Sequence, residues 1–283
     1  MAHEQPTTKT RTGTSPGTAM ITGASSGMGA VYADRLARRG HDLILVARSA
    51  ERLSALANAI SADTGRHVDY LAADLQQSDE VDRIEDRLRG DTRISMLVNN
   101  AGIGSSMPLI HSDVATMRAM VTLNVEVLMR LTYAAVPRFV RQGRGTIINM
   151  ASIVAIAPEI LNGVYGGTKA FVVGFTQSLH HELADKGIRV QAVLPGAVGT
   201  PFWDKAGTPL SAVPKDIVMS AEDAVDAALV GLDQDELITL PALPDISAWQ
   251  AYEEARQRMM PNLSRTAPAA RYRMDRSQAA ASG

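Results

Sequence analysis

The sequence predicts an α/β fold: a parallel sheet of about seven strands, covered by helices on both faces and forming a single domain. Short apolar runs alternate with helical patterns seven times between residues 18 and 243. Chains that alternate in this way build parallel sheets with crossover helices. Runs such as residues 43–47 are apolar at every position, as strands buried on two faces are. No internal repeat and no Gly/Ser linker divides the series. Residues 18–243 therefore read as one domain, between a leader (1–17) and a C-terminal extension (244–283).

Composition narrows the function classes. The 283 residues are 46% hydrophobic and 20% charged, the profile of an ordinary globular chain. A net charge of −2 provides no field to draw nucleic acid or an anionic membrane. The absence of cysteine excludes disulfides, thiolate nucleophiles and cysteine-ligated metals. No apolar run reaches the ~18 residues of a membrane span. The Thr-, Pro- and Gly-rich residues 1–17 lack the apolar region of a secretory signal and read as a disordered leader. A cytoplasmic protein with no nucleic-acid or membrane partner is expected.

The elements follow in order. Strand one, about 18–21, runs into Thr22-Gly23-Ala24-Ser25-Ser26-Gly27-Met28-Gly29, ahead of a helix over 30–39 stopped by Gly40. Strand two, 43–47, gives way to Arg48 and Ser49. Ser49 is placed to cap a helix with Leu53, Leu56 and Ile60 on one face. Strand three, 68–72, ends in Asp74-Leu75. Ser78 is then expected to cap a helix with an acidic first turn and an inner face of Val81, Ile84 and Leu88. Strand four, 94–98, ends in Asn99-Asn100-Ala101-Gly102. A long helix over 113–141 contains Asn124 and is ended by Gly143 and Gly145. Strand five, 146–150, delivers Ser152, and the helix after it carries Tyr165 and Lys169 to about residue 185. Strand six, 189–194, ends in Pro195-Gly196. Ser220 and Asp223 signal the start of a helix over 221–232, and strand seven spans 236–240. Residues 248–260 read as a further helix. The arginines beyond it (Arg265, Arg271, Arg273, Arg276) suit a solvated tail better than a partner site.

Several of these residues carry chemistry. Tyr165 and Lys169, four apart on a helix, share a face. An ammonium beside the phenol lowers its pKa and makes it a usable general acid/base. By itself the pair is common on amphipathic helices. Gly23, Gly27 and Gly29 sit between a strand and a helix, where glycines let the backbone approach a pyrophosphate at a helix N-terminus. Their spacing is not the ordinary dinucleotide fingerprint, so packing of the turn alone stays open. After strand two no carboxylate precedes Glu51 to hold a ribose diol. Arg48, with Ser49, suits a 2′-phosphate instead, which favours NADP(H) over NAD(H). Asp74 is either an adenine contact or a turn residue. His180-His181-Glu182 lacks the second histidine of a zinc helix, and no metal site is expected.

Set side by side, these stretches resemble the short-chain dehydrogenase/reductase family in its single-domain branch. The matching residues are Thr22-Gly23-x-x-x-Gly27-x-Gly29, Asp74-Leu75, Asn99-Asn100-Ala101-Gly102, Asn124, Ser152, Tyr165-x-x-x-Lys169 and Pro195-Gly196-x-Val198-x-Thr200. They keep the family order, with thirteen residues from Ser152 to Tyr165, and the resemblance covers about residues 18–243. Met28 stands where the family usually has isoleucine, a swap of similar volume.

The resemblance implies a three-layer, Rossmann-type doubly wound parallel sheet. It implies an NADP(H)-dependent oxidoreductase that interconverts a carbonyl and a secondary alcohol. Tyr165 would be the general acid/base and Ser152 would polarise the carbonyl. Lys169 would lower the tyrosine pKa and bond the nicotinamide ribose, while Asn124 would hold a relay water. Cofactor contacts would come from Gly23, Ser25, Ser26, Gly27, Met28, Gly29, Arg48, Ser49, Asp74, Leu75, Asn100, Ala101, Gly102, Tyr165 and Lys169. Pro195, Gly196, Val198 and Thr200 would cover the nicotinamide. A homodimer or homotetramer, built on the helices around Asn124 and Tyr165, is also implied.

The substrate pocket is expected from residues 105–108, 153–162 and 201–219. Its side chains are mainly aliphatic and include Met107, Ile153, Val154, Ile156, Leu161, Phe202, Trp203 and Leu210. Such a wall suits an apolar ketone or secondary alcohol better than a sugar. The long segment 200–220, with Pro201, Gly207, Pro209 and Pro214, has the length of a closing lid, and Trp249 and Tyr252 are expected to pack over it. A non-catalytic NADP(H)-binding regulator on the same fold is the alternative. An intact Ser152, Tyr165 and Lys169 argues against it, because a pure binder has no use for an activated tyrosine. An epimerase or dehydratase would need more than the forty or so residues after strand seven.

Overall fold

Strand β1 (Thr18–Thr22) lies third of seven in the sheet of the computed structural model, which describes residues 16–272. It is followed by α1 (Gly27–Arg38), β2 (Asp42–Ala47), α2 (Ala50–Thr64), β3 (Val68–Ala72), α3 (Ser78–Gly90) and β4 (Ile94–Asn99). Next come α4 (Val114–Val121), a π-helical segment (Thr122–Val127), α5 (Leu128–Gln142), β5 (Gly145–Met150), α6 (Gly163–Leu183) and β6 (Ile188–Val193). The chain continues through β7 (Ala197–Val198), α7 (Phe202–Ala206), β8 (Val218–Met219), α8 (Ala221–Asp233) and β9 (Ile238–Thr239). Seven strands form one parallel sheet in the order β3-β2-β1-β4-β5-β6-β9, as the alternation predicts. The order reverses direction between β1 and β4. The carboxyl ends of those two strands therefore flank the crevice where open α/β sheets bind ligands.

Alternate strand residues feed opposite faces, which makes three layers. Ala19 and Ile21 of β1, with Leu43 and Leu45 of β2, pack against Leu36, Leu53, Val225 and Leu229 on α1, α2 and α8. Met20, Ile44 and Val46 pack the other way, against Ile84, Leu131, Phe139 and Leu179 on α3, α5 and α6. Both faces are apolar, so the runs show no polar alternation. Ser49 caps α2 by accepting from Arg52 N at 3.3 Å. Ser220 accepts from Asp223 N at 2.9 Å and donates to its carboxylate at 2.6 Å, at the start of α8.

The structure corrects several expectations. Helix α1 begins at Gly27, three residues earlier than expected, so Gly27 and Gly29 belong to its first turn. The residue before α3 is Gln77, with no side-chain cap, and Ser78 instead accepts from Arg130 Nη1 at 3.2 Å. The helix containing Asn124 passes through a π-helical segment, in which the Asn124 amide pairs with the Ile103 backbone. Gly145 belongs to β5. The last strand shrinks to two residues, with Glu236 turned to accept from Thr239 Oγ1 at 2.8 Å. A two-stranded parallel ribbon, β7 with β8, was not foreseen.

Pro16 and Gly17 are tied to the sheet by Ser95 Oγ, which donates to Pro16 O at 2.6 Å, and by Asp42 N, which donates to Gly17 O at 3.2 Å. The rest of the expected leader lies outside the described residues, as do Arg273 and Arg276. The continuous helix Val114–Gln142 is long and apolar enough, by length and composition alone, to cross a membrane. Half of its apolar window is buried, and Leu123, Val127, Leu131 and Phe139 press on the sheet, which accounts for its composition.

From Leu243 onward the chain forms a second unit. There α9 (Ile246–Met259) is capped by Asp245, which accepts from Ser247 N at 2.9 Å. Trp249 stacks on Tyr252 at 5.1 Å between centroids.

Candidate active site

Thr22 joins the two turns at the crevice. Its hydroxyl accepts from Asn100 N and Ala101 N, both at 3.0 Å, and donates to Val98 O at 3.3 Å. Asn100 Nδ2 returns to Thr22 O at 2.9 Å and Gly23 O at 3.3 Å. The post-β4 turn is thereby clamped onto the glycine turn. Gly27 has φ +54°, a left-handed conformation that glycine adopts without strain. Gly29 serves packing: a Cβ there would overlap the carbonyl oxygen of Gly23 and stand 2.6 Å from Asn100 Nδ2. Gly29→Ala is therefore expected to cost about 1–3 kcal/mol and to displace the turn, weakening nucleotide binding. Gly167→Ala in α6, with nothing within 4 Å of its Cβ, should not destabilise. Thermal melts of the two variants check this.

A cavity of about 270 Å³ opens over these turns, lined by Gly23, Ser25, Ser26, Gly27, Met28, Arg48, Ser49, Asp74, Leu75, Asn100, Ala101, Gly102 and Thr200. Arg52, Gln76 and Lys205 join them. The sequence reading missed Arg52, although it stands four residues beyond Arg48 at the start of a helix. The lining fits a dinucleotide. The N-cap of α1, Ser26, makes no side-chain capping bond, so the positive end of that helix is open to an anion. Arg48 and Arg52 supply cations beside Ser49. Asp74 accepts from Gln76 N through one oxygen only, at 3.1 Å.

A second cavity, of about 330 Å³, adjoins the first and shares Met28, Asn100, Gly102, Ile103, Thr200 and Phe202 with it. Ser152, Tyr165 and Lys169 lie in its wall with Pro195, Gly196 and Val198. β5 brings Ser152 to the ligand edge, and Asn162 starts α6 by accepting from Val164 N at 2.8 Å, which sets the phase that turns Tyr165 inward. Tyr165 is only 6% exposed, and Ser152, whose hydroxyl donates to Pro195 O at 3.4 Å, shares its cavity wall. Burial pushes the Tyr165 pKa up to about 12, with the Ser152 hydroxyl acting the other way. The expected lowering by Lys169 is not what the structure holds. Lys169 Nζ donates to Met150 O at 2.7 Å and stands 5.8 Å from the Tyr165 ring centroid. Its own burial pulls it down to about 8.

Asn124 and Gly29 line neither cavity. The Asn124 side chain accepts from Ile103 N at 3.0 Å and donates to Ile103 O at 2.8 Å and Thr168 Oγ1 at 3.1 Å. That amide positions the post-β4 loop. Beneath the site a buried polar chain crosses the sheet: Asn99 donates to Thr132 Oγ1 and Asn149 Oδ1, and Asn149 donates to Thr176 Oγ1, at 2.9–3.1 Å.

The apolar wall of the second cavity comes from Ile153, Val154, Ile160, Leu161, Phe202, Trp203, Ala212, Val213 and Ile217. Met107, Ile156 and Leu210, expected there, are absent from it. Residues 104–107 instead latch the segment after Thr200. Ser106 N and Oγ donate to Ala206 O at 2.9 and 3.0 Å, and Ser106 Oγ meets Thr208 Oγ1 at 2.6 Å. Phe202 fills the space beside Gly104 and packs on Tyr165 at 5.8 Å. His180 and His181 lie exposed in the last turn of α6. No group of three or more potential metal ligands occurs among the described residues.

The chain matches the family model of the short chain dehydrogenases over residues 17–210. It is 35% identical over 198 residues to the very-long-chain 3-oxoacyl-CoA reductase of Bos taurus, covering 66% of this chain and 63% of that protein. It thus spans less than two thirds of the first curated relatives. A short-chain dehydrogenase from Sphingobium yanoikuyae, solved in complex with NADPH, is similar at 46% identity and a TM-score of 0.87, over 90% of this chain and 100% of that one. The bulky-bulky ketone specific alcohol dehydrogenase from Comamonas testosteroni is similar at 42% identity and a TM-score of 0.84, over 92% and 99%.

Proposed function

The chain belongs to the short-chain dehydrogenase/reductase family of oxidoreductases, and from that premise we propose that it is an NADP(H)-dependent enzyme interconverting an apolar ketone and its secondary alcohol in the cytoplasm. One observation carries the reading. Tyr165, with Ser152 and Lys169 in the same wall, stands in a mainly apolar cavity that adjoins a second cavity lined by Arg48 and Arg52. The two solved relatives named above, one with NADPH and one specific for bulky ketones, support the choice of cofactor and substrate class. We take the ketone to carry two sizeable apolar groups.

A bound NADP(H) would supply or accept the hydride. The residues of the chain do the rest. Arg48, Ser49 and Arg52 hold the 2′-phosphate. Gly23, Ser25, Ser26, Gly27, Met28 and Gly29 form the turn for the pyrophosphate, with Gly29 acting through packing. Asp74, Leu75, Asn100, Ala101 and Gly102 border the adenosine and ribose, and Pro195, Gly196, Val198 and Thr200 cover the nicotinamide. Ser152 donates to the carbonyl oxygen, and Tyr165 transfers a proton to the same atom. Lys169 holds the nicotinamide ribose and places a positive charge beneath the phenol. Asn124 fixes the Ile103 loop that borders both cavities.

With a pKa raised to about 12, Tyr165 carries its proton at neutral pH and is ready to act as the acid in ketone reduction. Alcohol oxidation needs the phenolate, whose fraction grows with pH below that pKa. Oxidation is therefore expected to climb from about pH 7 to about pH 9 while reduction shows no such rise. Initial rates with a panel of apolar ketones and alcohols, NADPH and NADH side by side, test the proposal. A wild type that turns over none of them, or one that strongly prefers NADH, overturns it. Exposed Tyr133 on α5 and Phe171 on α6, both in contact with Phe175, support assembly as a homodimer or homotetramer through these helices.

A further inference from the structure

Helix α7 belongs to two cavities at once. Trp203 lines the apolar cavity, Lys205 lines the basic one, and Phe202 lines both. The helix is anchored from the protein side. Trp203 Nε1 donates to Val198 O at 2.8 Å, and Ala206 O accepts both donors of Ser106. Lys205 is therefore carried on a fixed support at the cavity wall, next to Thr200, Pro201 and Phe202. The Thr200 side chain in turn lies 3.1 Å from where a Cβ on Gly27 would be, at the N-terminus of α1. Arg48, Ser49 and Arg52 come to the wall from a different place in the fold, the end of β2.

The cations in this wall come from two places in the fold, the start of α2 and α7, which suits a ligand with two anionic groups. Its ionisable side chains are Arg48, Arg52 and Lys205 against Asp74. The arginine pair accounts for one anion. At the other end α1 offers peptide dipoles but no basic side chain in its first turn, so a full counter-charge must come from elsewhere. Lys205 is the lining residue that supplies it, and a lysine ammonium serves as a point charge for phosphate. Resting on the NADP(H) reading above, we infer that Lys205 binds the pyrophosphate of the cofactor. Because α7 also carries Phe202 and Trp203, the bound dinucleotide adds a further tie to a wall of the substrate cavity.

Fluorescence titration of the full chain with NADPH and with NADH tests this on wild type, Lys205→Ala, Lys205→Arg and Arg48→Ala. Both nucleotides carry the pyrophosphate, so Lys205→Ala should weaken both by the same factor, on the order of tenfold. Lys205→Arg should keep most of the affinity, and Arg48→Ala should weaken NADPH alone. At saturating NADPH the ketone KM of Lys205→Ala should still be raised. Because Lys205 is exposed, its replacement leaves the fold intact. Wild-type affinity for both nucleotides in Lys205→Ala overturns the inference. A loss confined to NADPH also does so, by placing Lys205 at the 2′-phosphate, and an unchanged ketone KM overturns the coupling to substrate. A wild type that binds neither nucleotide is a different result: the NADP(H) reading itself then fails, and the inference with it.

Discussion

Tyr165→Phe is expected to lower ketone reduction by about two to four orders of magnitude, the range that a positioned general acid contributes. The substitution removes one oxygen and keeps the ring. That ring is buried against Phe202, Met120 and Val154, so phenylalanine retains the packing and the fold. The expected pattern is a variant that melts near the wild type and binds NADPH within a few-fold of it, yet hardly turns over. Turnover close to wild type would remove Tyr165 from the chemistry. Loss of NADPH binding in step with turnover would reduce it to a cofactor contact. The same variant separates the enzyme from a nucleotide-binding regulator, because a regulator has no turnover to lose.

Residues whose surroundings lie close in sequence were legible. The strands could be read because each is a short apolar run between turn residues, and burial on both faces leaves nothing polar to blur it. Ser49 and Ser220 could be read as caps because a cap involves residues two or three positions apart. Ser152, Tyr165 and Lys169 fall together in a cavity wall, as the strand end and the helical spacing imply.

What could not be read depends on contacts distant in sequence. The Asn124 amide pairs with Ile103, twenty-one residues away, and only the fold brings them together. Met107 was assigned to the substrate wall, but the Ser106 latch on Ala206 draws its loop under α7. Arg52 lay within reach, since i and i+4 residues share a helix face. Lys205 did not, because nothing near it in sequence ties it to the end of β1. The tyrosine pKa was misjudged for a related reason. Four-residue spacing places the ammonium near the ring but says nothing about how far burial opposes ionisation of both groups.

That opposition predicts an uncommon behaviour for Lys169. The folded chain holds its pKa at about 8 against 10.5 in the open. Between those values the unfolded chain binds a proton that the folded chain does not, so stability increases as pH rises through that window. Below about pH 8 both states are protonated and the burial penalty is complete. Lowering from 10.5 to about 8, at about 1.4 kcal/mol per pH unit, makes that penalty about 3 kcal/mol. Lys169→Met keeps the stem and removes the ammonium, but leaves Met150 O without its donor, which costs about 1–3 kcal/mol. At neutral pH the two effects nearly offset, and the variant should melt close to or above the wild type while losing turnover. The decisive readout is the slope. From about pH 7.5 to about pH 9.5 the wild type should gain stability relative to Lys169→Met, in a range that ends before the buried tyrosines contribute. Tyr165 and Tyr32, both raised above 10 by burial, act in the opposite sense, losing stability only as pH rises beyond about 10. Parallel melting curves for the two proteins across that window would mean that Lys169 is not charged and buried together. The proposed role of Lys169 as a cation beside Tyr165 would then fall.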